Sequence, residues 1–202
     1  KNLGNDKTRE YISSNLNIEA FDLSRNKIEY ILWIAIILWV IGIIILSIHT
    51  IISYIKMKRK ISTATLIRDN VYETDKIESP FVFGIIRPKI YLPLGISERE
   101  QQYLIYHEEV HIRRCDYIIK QIYFITVIIH WFNPIVWKAF ELMTQDMEMS
   151  CDERVMKDFK YDIKIEYSNS LLEFATTSSL DLVCPLAFGE NHAKKRIENI
   201  LK

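Results

Sequence analysis

The sequence has 202 residues, which is enough for one ordinary domain with additional segments but too few for two full-sized domains. Its 26 Lys and Arg residues equal its 26 Asp and Glu residues, so the net charge does not indicate direct binding to nucleic acid. Apolar residues make up 49% of the chain, which is high beside 26% charged residues and predicts a chain divided between lipid and water.

The three cysteines, Cys115, Cys151 and Cys184, are odd in number and lack CxxC spacing. This pattern argues against a disulfide framework and against a cysteine-rich zinc site, so we expect thiols in a reducing compartment. The chain begins with Lys and has no signal-peptide pattern at its start, and we therefore expect it to be part of a longer protein.

The first long element is an apolar stretch, residues 30–55, without Asp, Glu, Lys or Arg. About 20 apolar residues suffice to cross a bilayer as a helix, so this stretch predicts a transmembrane helix. The basic run 56–60 follows it directly, and positive charge favours the cytoplasmic side. We therefore place residues 1–29 outside, as an extracytoplasmic loop with some helix, and residues 56–202 in the cytosol.

Two short apolar segments, 81–86 and 89–92, flank Arg87-Pro88 and predict two strands joined by a turn. Such a hairpin could offer a strand edge to a substrate backbone, or it could be purely structural. The sequence leaves both readings open.

The segment Ser97-Glu98-Arg99-Glu100 is a capping box that opens a helix. This helix carries His107 and His111, which are one turn apart and project from one face, where both imidazoles can bind one cation. Glu108 lies beside a ligand but about 100° round the helix, where it can act as a base without occupying the metal. Zinc suits such nitrogen and oxygen ligands, because it binds them tetrahedrally and leaves one position for water.

A second apolar run, residues 117–137, contains Lys120, His130 and Asn133-Pro134 and is short for a membrane span. We interpret it as a helical elbow that dips into the membrane or lies along its face, with tryptophans at the interface. A helix hairpin buried in a soluble core is the alternative. Asn133 followed by Pro134 predicts the N-cap and first residue of a new helix.

The third metal ligand is expected on that new helix. A helix from His111 to Phe132 would be roughly 31 Å long and one from Pro134 to Glu148 roughly 21 Å, so a kink or frayed end must absorb the difference. An antiparallel hairpin then brings Glu148 to the histidines, with Asp152 one turn further to accept the free N–H of a ligand histidine. Cys151 could also bind zinc in principle.

The chemistry that these residues predict is peptide hydrolysis, in which zinc and Glu108 activate water and Glu108 passes the proton to the leaving amine. A second donor is expected to hold the oxyanion, and Tyr, His and Arg side chains of region 160–196 are the candidates. Residues 161–176 and 192–201 are expected to form two further helices.

Four segments occur in an order that resembles the BlaR/MecR-type regulatory metallopeptidases: FGIIRPKIYLP (83–93), HEEVH (107–111), HWFNPIVW (130–137) and MEMSCDERVM (147–156). Arg114 and Asp116 are part of the same pattern. The resemblance covers roughly residues 60–200 and the membrane helix before them. It implies an α+β, mainly helical fold, in which a transmembrane helix precedes a membrane-apposed, gluzincin-like metallopeptidase domain with a small β-hairpin or sheet.

The same resemblance implies a function in signal transduction and the regulation of antibiotic resistance. Members of this family sit in the bacterial cell membrane and convert an external signal into cleavage of a cytosolic transcriptional repressor, and the gluzincin Glu-x-x-x-Asp pattern falls on Glu148 and Asp152. Expected partners are membrane lipid, the protein substrate and, as one assembly left open, a second copy in a homodimer. Self-cleavage is also implied, in a region such as Thr177–Glu190. No Ser-x-x-Lys followed by Lys-Thr-Gly occurs, so the sequence contains no penicillin-binding sensor.

Three other functions remain as alternatives. An intramembrane site-two-type protease would place HExxH within an apolar span, whereas charged residues surround it here. A prenyl-protease-like membrane gluzincin shares both motifs but favours Ala where this chain has Cys151. A non-catalytic, zinc-stabilised signalling module would not need Glu108.

Overall fold

The computed structural model describes the backbone of residues 3–159, 163–177 and 193–201, and side chains from Lys27 onward within those ranges except that of Thr177. The chain divides into two compact units, Lys1–Ile45 and Leu46–Lys202.

The first helix, α1 (Leu3–Lys60), supplies all of the described backbone of the first unit and continues into the second. Within it, Lys27–Lys60 is long and apolar enough to cross a membrane. None of the residues in its most apolar part is buried. We expected residues 1–29 to form a loop with some helix, but from Leu3 onward their backbone is helical. The reason is that α1 contains no proline to break it.

The strands of the second unit form one four-stranded sheet in the order β1-β2-β4-β3. They are β1 (Thr65–Arg68), β2 (Val71–Thr74), β3 (Phe81–Phe83) and β4 (Lys89–Pro93). β2 and β4 are parallel, and the two outer pairs are antiparallel. The predicted hairpin around Arg87-Pro88 is therefore present as β3 and β4.

A glycine permits the turn between these two strands. Gly84 has φ +111, and a Cβ there would approach the carbonyl oxygen of Arg87 to 2.8 Å. Only glycine adopts this conformation readily, so β3 ends at the residue before it. β3 is the last strand in the sheet order, so one of its edges has no partner strand among the residues that the structure describes.

The helix of the histidines, α2 (Glu98–Arg114), begins at the predicted capping box, because Ser97 and Glu100 cap each other reciprocally. It ends at Cys115, whose φ of 59 is left-handed, and α3 (Asp116–Ile129) starts at the next residue. This break is the kink that the helix lengths required. α3 has 14 residues and therefore matches the part of the next helix between Pro134 and Glu148.

That next helix, α4 (Pro134–Asp158), begins as predicted, since the Asn133 side chain accepts a hydrogen bond from the Ile135 N–H and Pro134 is the first helical residue. α3 and α4 pack through Phe124, Val127 and Phe140. The opposite face of the elbow exposes apolar side chains, namely Ile122, Ile125, Phe132 and Ile135. The elbow therefore has one buried and one exposed apolar face.

Two shorter helices complete the second unit: α5 (Lys164–Thr177) and α6 (Ala193–Leu201). Both agree with the predicted helices to within a few residues. They join α2 and α4 in the largest core, formed by Tyr103, Leu104, Val155, Met156, Ile163, Tyr167, Leu171 and Ile200. The expected self-cleavage region lies almost wholly outside the described residues, because residues 178–192 are not among them. The architecture is thus α+β and mainly helical, as predicted.

Candidate metal centre and active-site cleft

The two histidines of α2 lie one helical turn apart and face each other in the interior. His107 is only 4% exposed and His111 only 6%, and their Nε2 atoms are 3.2 Å apart. Helical spacing explains this pairing, because residues four apart share a face. The buried neighbours Leu104 and Val110 keep that face of α2 against the rest of the unit.

Glu148 of α4 completes a three-residue group around this pair. One carboxylate oxygen is 3.4 Å from His107 Nε2 and the other is 3.5 Å from His111 Nε2. A tetrahedral zinc ion with bonds of about 2.0–2.1 Å has ligand atoms about 3.3–3.4 Å apart. The separation of the two Nε2 atoms is close to that edge length, Glu148 presents a different oxygen to each imidazole, and two nitrogens and one carboxylate are a donor set that zinc accepts.

The hydrogen bonds on the far side of the imidazoles direct both Nε2 lone pairs towards this group. His111 Nδ1 is 2.8 Å from Asp116 Oδ2, and a carboxylate can only accept, so Nδ1 carries the proton. Asp116 is the first residue of α3 and is buried. The left-handed turn at Cys115 is what folds its side chain back onto the end of α2.

His107 is held in the same way by a longer chain of contacts. Its Nδ1 lies 2.8 Å from the hydroxyl of Tyr167, which donates to Asp152 Oδ1 at 2.7 Å. Asp152 Oδ1 itself is 3.3 Å from His107 Nδ1. Asp152 is therefore where the sequence placed it, but the closer contact to the imidazole comes from Tyr167. Burial and the neighbouring Asp152 raise the pKa of Tyr167 well above its usual range, so it remains a donor.

Two lone pairs 3.2 Å apart repel each other unless a proton or a cation lies between them. Burial disfavours a charged imidazole, but the Glu148 carboxylate and the hydrogen bond that His111 donates to Asp116 outweigh it and raise the pKa of His111 well above the usual value. The site therefore favours a positive charge between the two Nε2 atoms and the Glu148 carboxylate.

Two cationic side chains also contact Glu148. Lys120 Nζ lies 3.0 Å from one carboxylate oxygen, and Arg196 Nη1 lies 3.3 Å from the other. Burial alone would raise the pKa of Glu148, but Lys120, His111 and Arg196 lower it well below its usual range. Arg196 also binds Asp152 through two parallel contacts of 2.8 and 2.7 Å, which fixes α6 against α4.

Cys151 lies on the other side of His111 from Glu148. Its Sγ is 3.4 Å from His111 Nδ1 and 3.8 Å from Asp116 Oδ2, in a second group that could hold a metal. Burial raises the pKa of this thiol, which disfavours the thiolate that metals bind. Since Nδ1 donates to Asp116, we interpret Cys151 as packing around His111 rather than as a ligand.

An open cleft of about 800 Å³ exposes one side of the group. Glu108 lines it together with His107 and His111, and its residue is 8% exposed. The residues of β3 also line it. Phe174 and other apolar side chains of α5 line a further part. The cleft therefore combines the candidate metal-binding group, a carboxylate and the residues of an outer strand.

The structure brings together all five side chains that the sequence singled out: His107, Glu108, His111, Glu148 and Asp152. Sequence reasoning gave no site role to Asp116 or Lys120, and it included Tyr167 and Arg196 only among the candidate oxyanion donors of region 160–196. One signal was available for Arg196, which lies four residues before Ile200 on the face of α6 that is buried. A charge on such a face requires a buried partner. Tyr167 and Lys120 gave no comparable signal, because an aromatic residue or a lysine near a helix end is ordinary.

Comparison with known proteins gives a consistent family. Residues 4–200 match the family model described as BlaR1 peptidase M56. The chain is 27% identical over 97% of its length to the regulatory protein BlaR1 of Bacillus licheniformis. It is 33% identical over 52% of its length to the methicillin resistance mecR1 proteins of Staphylococcus aureus strain Mu50 and Staphylococcus epidermidis.

The matched segments cover 38% of the Bacillus relative and 19% of each staphylococcal relative, so the chain spans well under half the length of these proteins. The match to the family model, in contrast, extends over nearly the whole chain and includes α1, the sheet and every helix of the metal-binding group. The chain therefore belongs to the BlaR1 peptidase M56 family.

Proposed function

We propose that this chain is the zinc endopeptidase domain of a signal-transducing membrane regulator, which cleaves a cytosolic protein, in particular a transcriptional repressor, and itself. The observation that carries the proposal is the close grouping of His107, His111 and Glu148 beside Glu108 in an open cleft. A purely structural zinc site is usually closed by four protein ligands, whereas this group supplies three from the part of the chain that the structure describes.

The roles of the residues follow from their positions. His107, His111 and Glu148 would hold the metal, and Asp116 and the Tyr167–Asp152 pair fix the imidazole tautomers. Zinc, when bound, lowers the pKa of a water molecule and polarises the scissile carbonyl. Glu108 accepts the proton of the attacking water and returns it to the leaving amine.

The substrate is expected to bind in extended form along β3. Its backbone can pair with the edge of this strand that has no partner among the described strands, which is the usual way for a peptide to add to a sheet. An extended segment of a protein chain fits this arrangement better than a folded surface does. The names of the relatives, a regulatory protein and methicillin resistance proteins, favour a protein substrate with a regulatory role.

For the membrane arrangement, we propose residues 30–55 as the transmembrane helix, residues 1–29 outside and residues 56–202 in the cytosol of a bacterial cell. The exposed apolar surface of Lys27–Lys60 and the basic run at its end support this orientation. The exposed apolar face of the elbow, with Ile125 and Ile135, supports contact with lipid at the membrane face. A homodimer is the assembly that we propose to test.

The test is Glu108→Gln in the full chain, purified in detergent and loaded with zinc. Loss of the proton acceptor should lower the rate of cleavage of fluorescein-labelled casein about 10²–10⁴-fold, while zinc stays bound at one ion per chain. Cleavage is measured by the release of labelled peptides and zinc by elemental analysis.

The matched control is Glu109→Gln, since Glu109 is the next residue, is more exposed and pairs with Arg113. This variant should cleave casein like the wild type. If Glu108→Gln cleaves at the wild-type rate, the proposed mechanism is wrong; if it also loses zinc, Glu108 acts in binding the metal instead.

A further inference from the structure

We propose that Lys120 is a catalytic residue whose ammonium group donates a hydrogen bond to the oxyanion that forms when water attacks the scissile carbonyl. This inference rests on the proposed peptidase function and names a residue that the HEEVH and Glu-x-x-x-Asp motifs do not contain.

The position of Lys120 is the first observation. It lies one turn into α3 and lines the cleft together with His107 and Glu108. Its Nζ is 3.0 Å from Glu148, the carboxylate that completes the metal-binding group, and its side chain is 18% exposed. A cation is thus fixed within one hydrogen bond of the candidate metal ligand Glu148 and lines the cleft.

The charge of this lysine is not explained by metal binding. An ammonium group beside a metal ligand repels a divalent cation and competes with it for the Glu148 carboxylate. The permanent positive charge is, however, what a developing oxyanion requires.

The other described candidates for this role are already engaged. Tyr167 is fully buried, and its hydroxyl donates to Asp152. The guanidinium of Arg196 is divided between Asp152 and Glu148. In the part of the chain that the structure describes, Lys120 has one hydrogen-bond acceptor, so two of its three N–H donors are available to a substrate. Tyr161 and His192, also in the expected region, lie outside the described residues.

The step balances without a further reactant. The water oxygen forms a bond to the carbonyl carbon, the carbonyl π pair moves onto its oxygen, and Glu108 takes the water proton. The oxyanion then re-forms the carbonyl as the carbon–nitrogen bond breaks, and Glu108 gives its proton to the amine. Lys120 keeps its own proton throughout, because its part is to stabilise the charge on oxygen.

The test compares Lys120→Met and Lys120→Arg with Lys138→Met in the full, zinc-loaded chain. Lys138 is a matched control, since it also pairs with a glutamate, Glu141, but on the exposed surface of α4. Three quantities are measured: casein cleavage, zinc affinity by chelator competition, and affinity for a phosphinic peptide, whose tetrahedral anionic group resembles the oxyanion.

Lys120→Met should lower kcat for casein about 10²–10³-fold with little change in KM, and should weaken phosphinic peptide binding by a similar factor. Its zinc affinity should be equal to or higher than that of the wild type, because a competing cation has been removed. Lys120→Arg should recover part of the phosphinic peptide affinity, and Lys138→Met should behave like the wild type in all three measurements.

Two results would overturn the inference. The first is a Lys120→Met variant that cleaves casein and binds the phosphinic peptide like the wild type, which would move the role to another donor. The second is a loss of zinc affinity parallel to the loss of activity, which would make Lys120 a positioning residue for Glu148. If the wild type itself neither cleaves casein nor binds the phosphinic peptide, the proposed function fails instead.

Discussion

The two histidines of the candidate metal-binding group are chemically equivalent but are supported by different parts of the chain. His111 is oriented by Asp116, five residues later and just across the turn at Cys115. His107 is oriented by Tyr167 of α5 and Asp152 of α4, and Arg196 of α6 in turn binds Asp152. One support is thus local, and the other requires three helices to pack correctly.

This difference indicates which half of the site depends on the fold. A local support forms as soon as α2 and the turn are in place. A support built from α4, α5 and α6 forms only when the core around Val155 and Tyr167 has assembled. We therefore expect substitutions on the His107 side to affect both stability and zinc binding, and substitutions on the His111 side to affect mainly zinc binding.

The largest effect is expected from Arg196→Met. It removes the cation that contacts the buried Asp152 carboxylate twice, and breaking a buried ion pair in this way costs about 3–5 kcal/mol of unfolding free energy. The loss of unfolding free energy is measured by urea unfolding of the metal-free chain in detergent. Arg154→Met is the control, because Arg154 also pairs with an aspartate, Asp158, but on the exposed surface. Equal, small shifts for both variants would show that the Arg196 pair does not hold α6 in place.

A smaller effect is expected from Tyr167→Phe. The substitution keeps the ring and removes the hydroxyl between His107 and Asp152, so zinc affinity should fall about 10–100-fold. Isothermal titration with a competing chelator measures it. Tyr103→Phe is the matched control, since Tyr103 is equally buried and stacks edge-to-face on Tyr167, but its hydroxyl contacts Ser170. If both variants lose zinc equally, the effect comes from ring packing rather than from the hydrogen bond.

The smallest effect is expected from Asp116→Asn, because an amide oxygen can still accept from His111 Nδ1. Zinc affinity should fall about 10-fold, at the lower limit for residues that support a metal ligand. Asp116 also helps to raise the pKa of His111, so its loss reduces proton competition for zinc. The loss of zinc affinity relative to the wild type should therefore be largest at alkaline pH, where His111 is already neutral, and should become smaller as the pH falls. A loss of zinc affinity that grows at acid pH would contradict this account.

The elements with strong local signals were predicted correctly. The capping box at Ser97 and the Asn133-Pro134 start of α4 are both present, because side-chain caps depend on residues within a few positions. The hairpin from β1 to β2 was missed, although the Asp69-Asn70 pair that separates the two strands is typical of a tight turn. Residues 1–29 were expected to form a loop with some helix, because their charges are mixed along the sequence. From Leu3 onward their backbone is instead part of one continuous helix.

The sequence by itself determined the family resemblance, the histidine pair, Glu108 and the helix that carries Glu148, because helical spacing and caps are local properties of the chain. Only the tertiary structure decided which groups surround them. Lys120 of α3 contacts Glu148, Tyr167 of α5 contacts Asp152, and Arg196 of α6 contacts both carboxylates. The sequence around these residues does not specify those partners. The physical reason is that long-range ion pairs and hydrogen bonds depend on how the helices pack, which residue spacing along the chain does not specify.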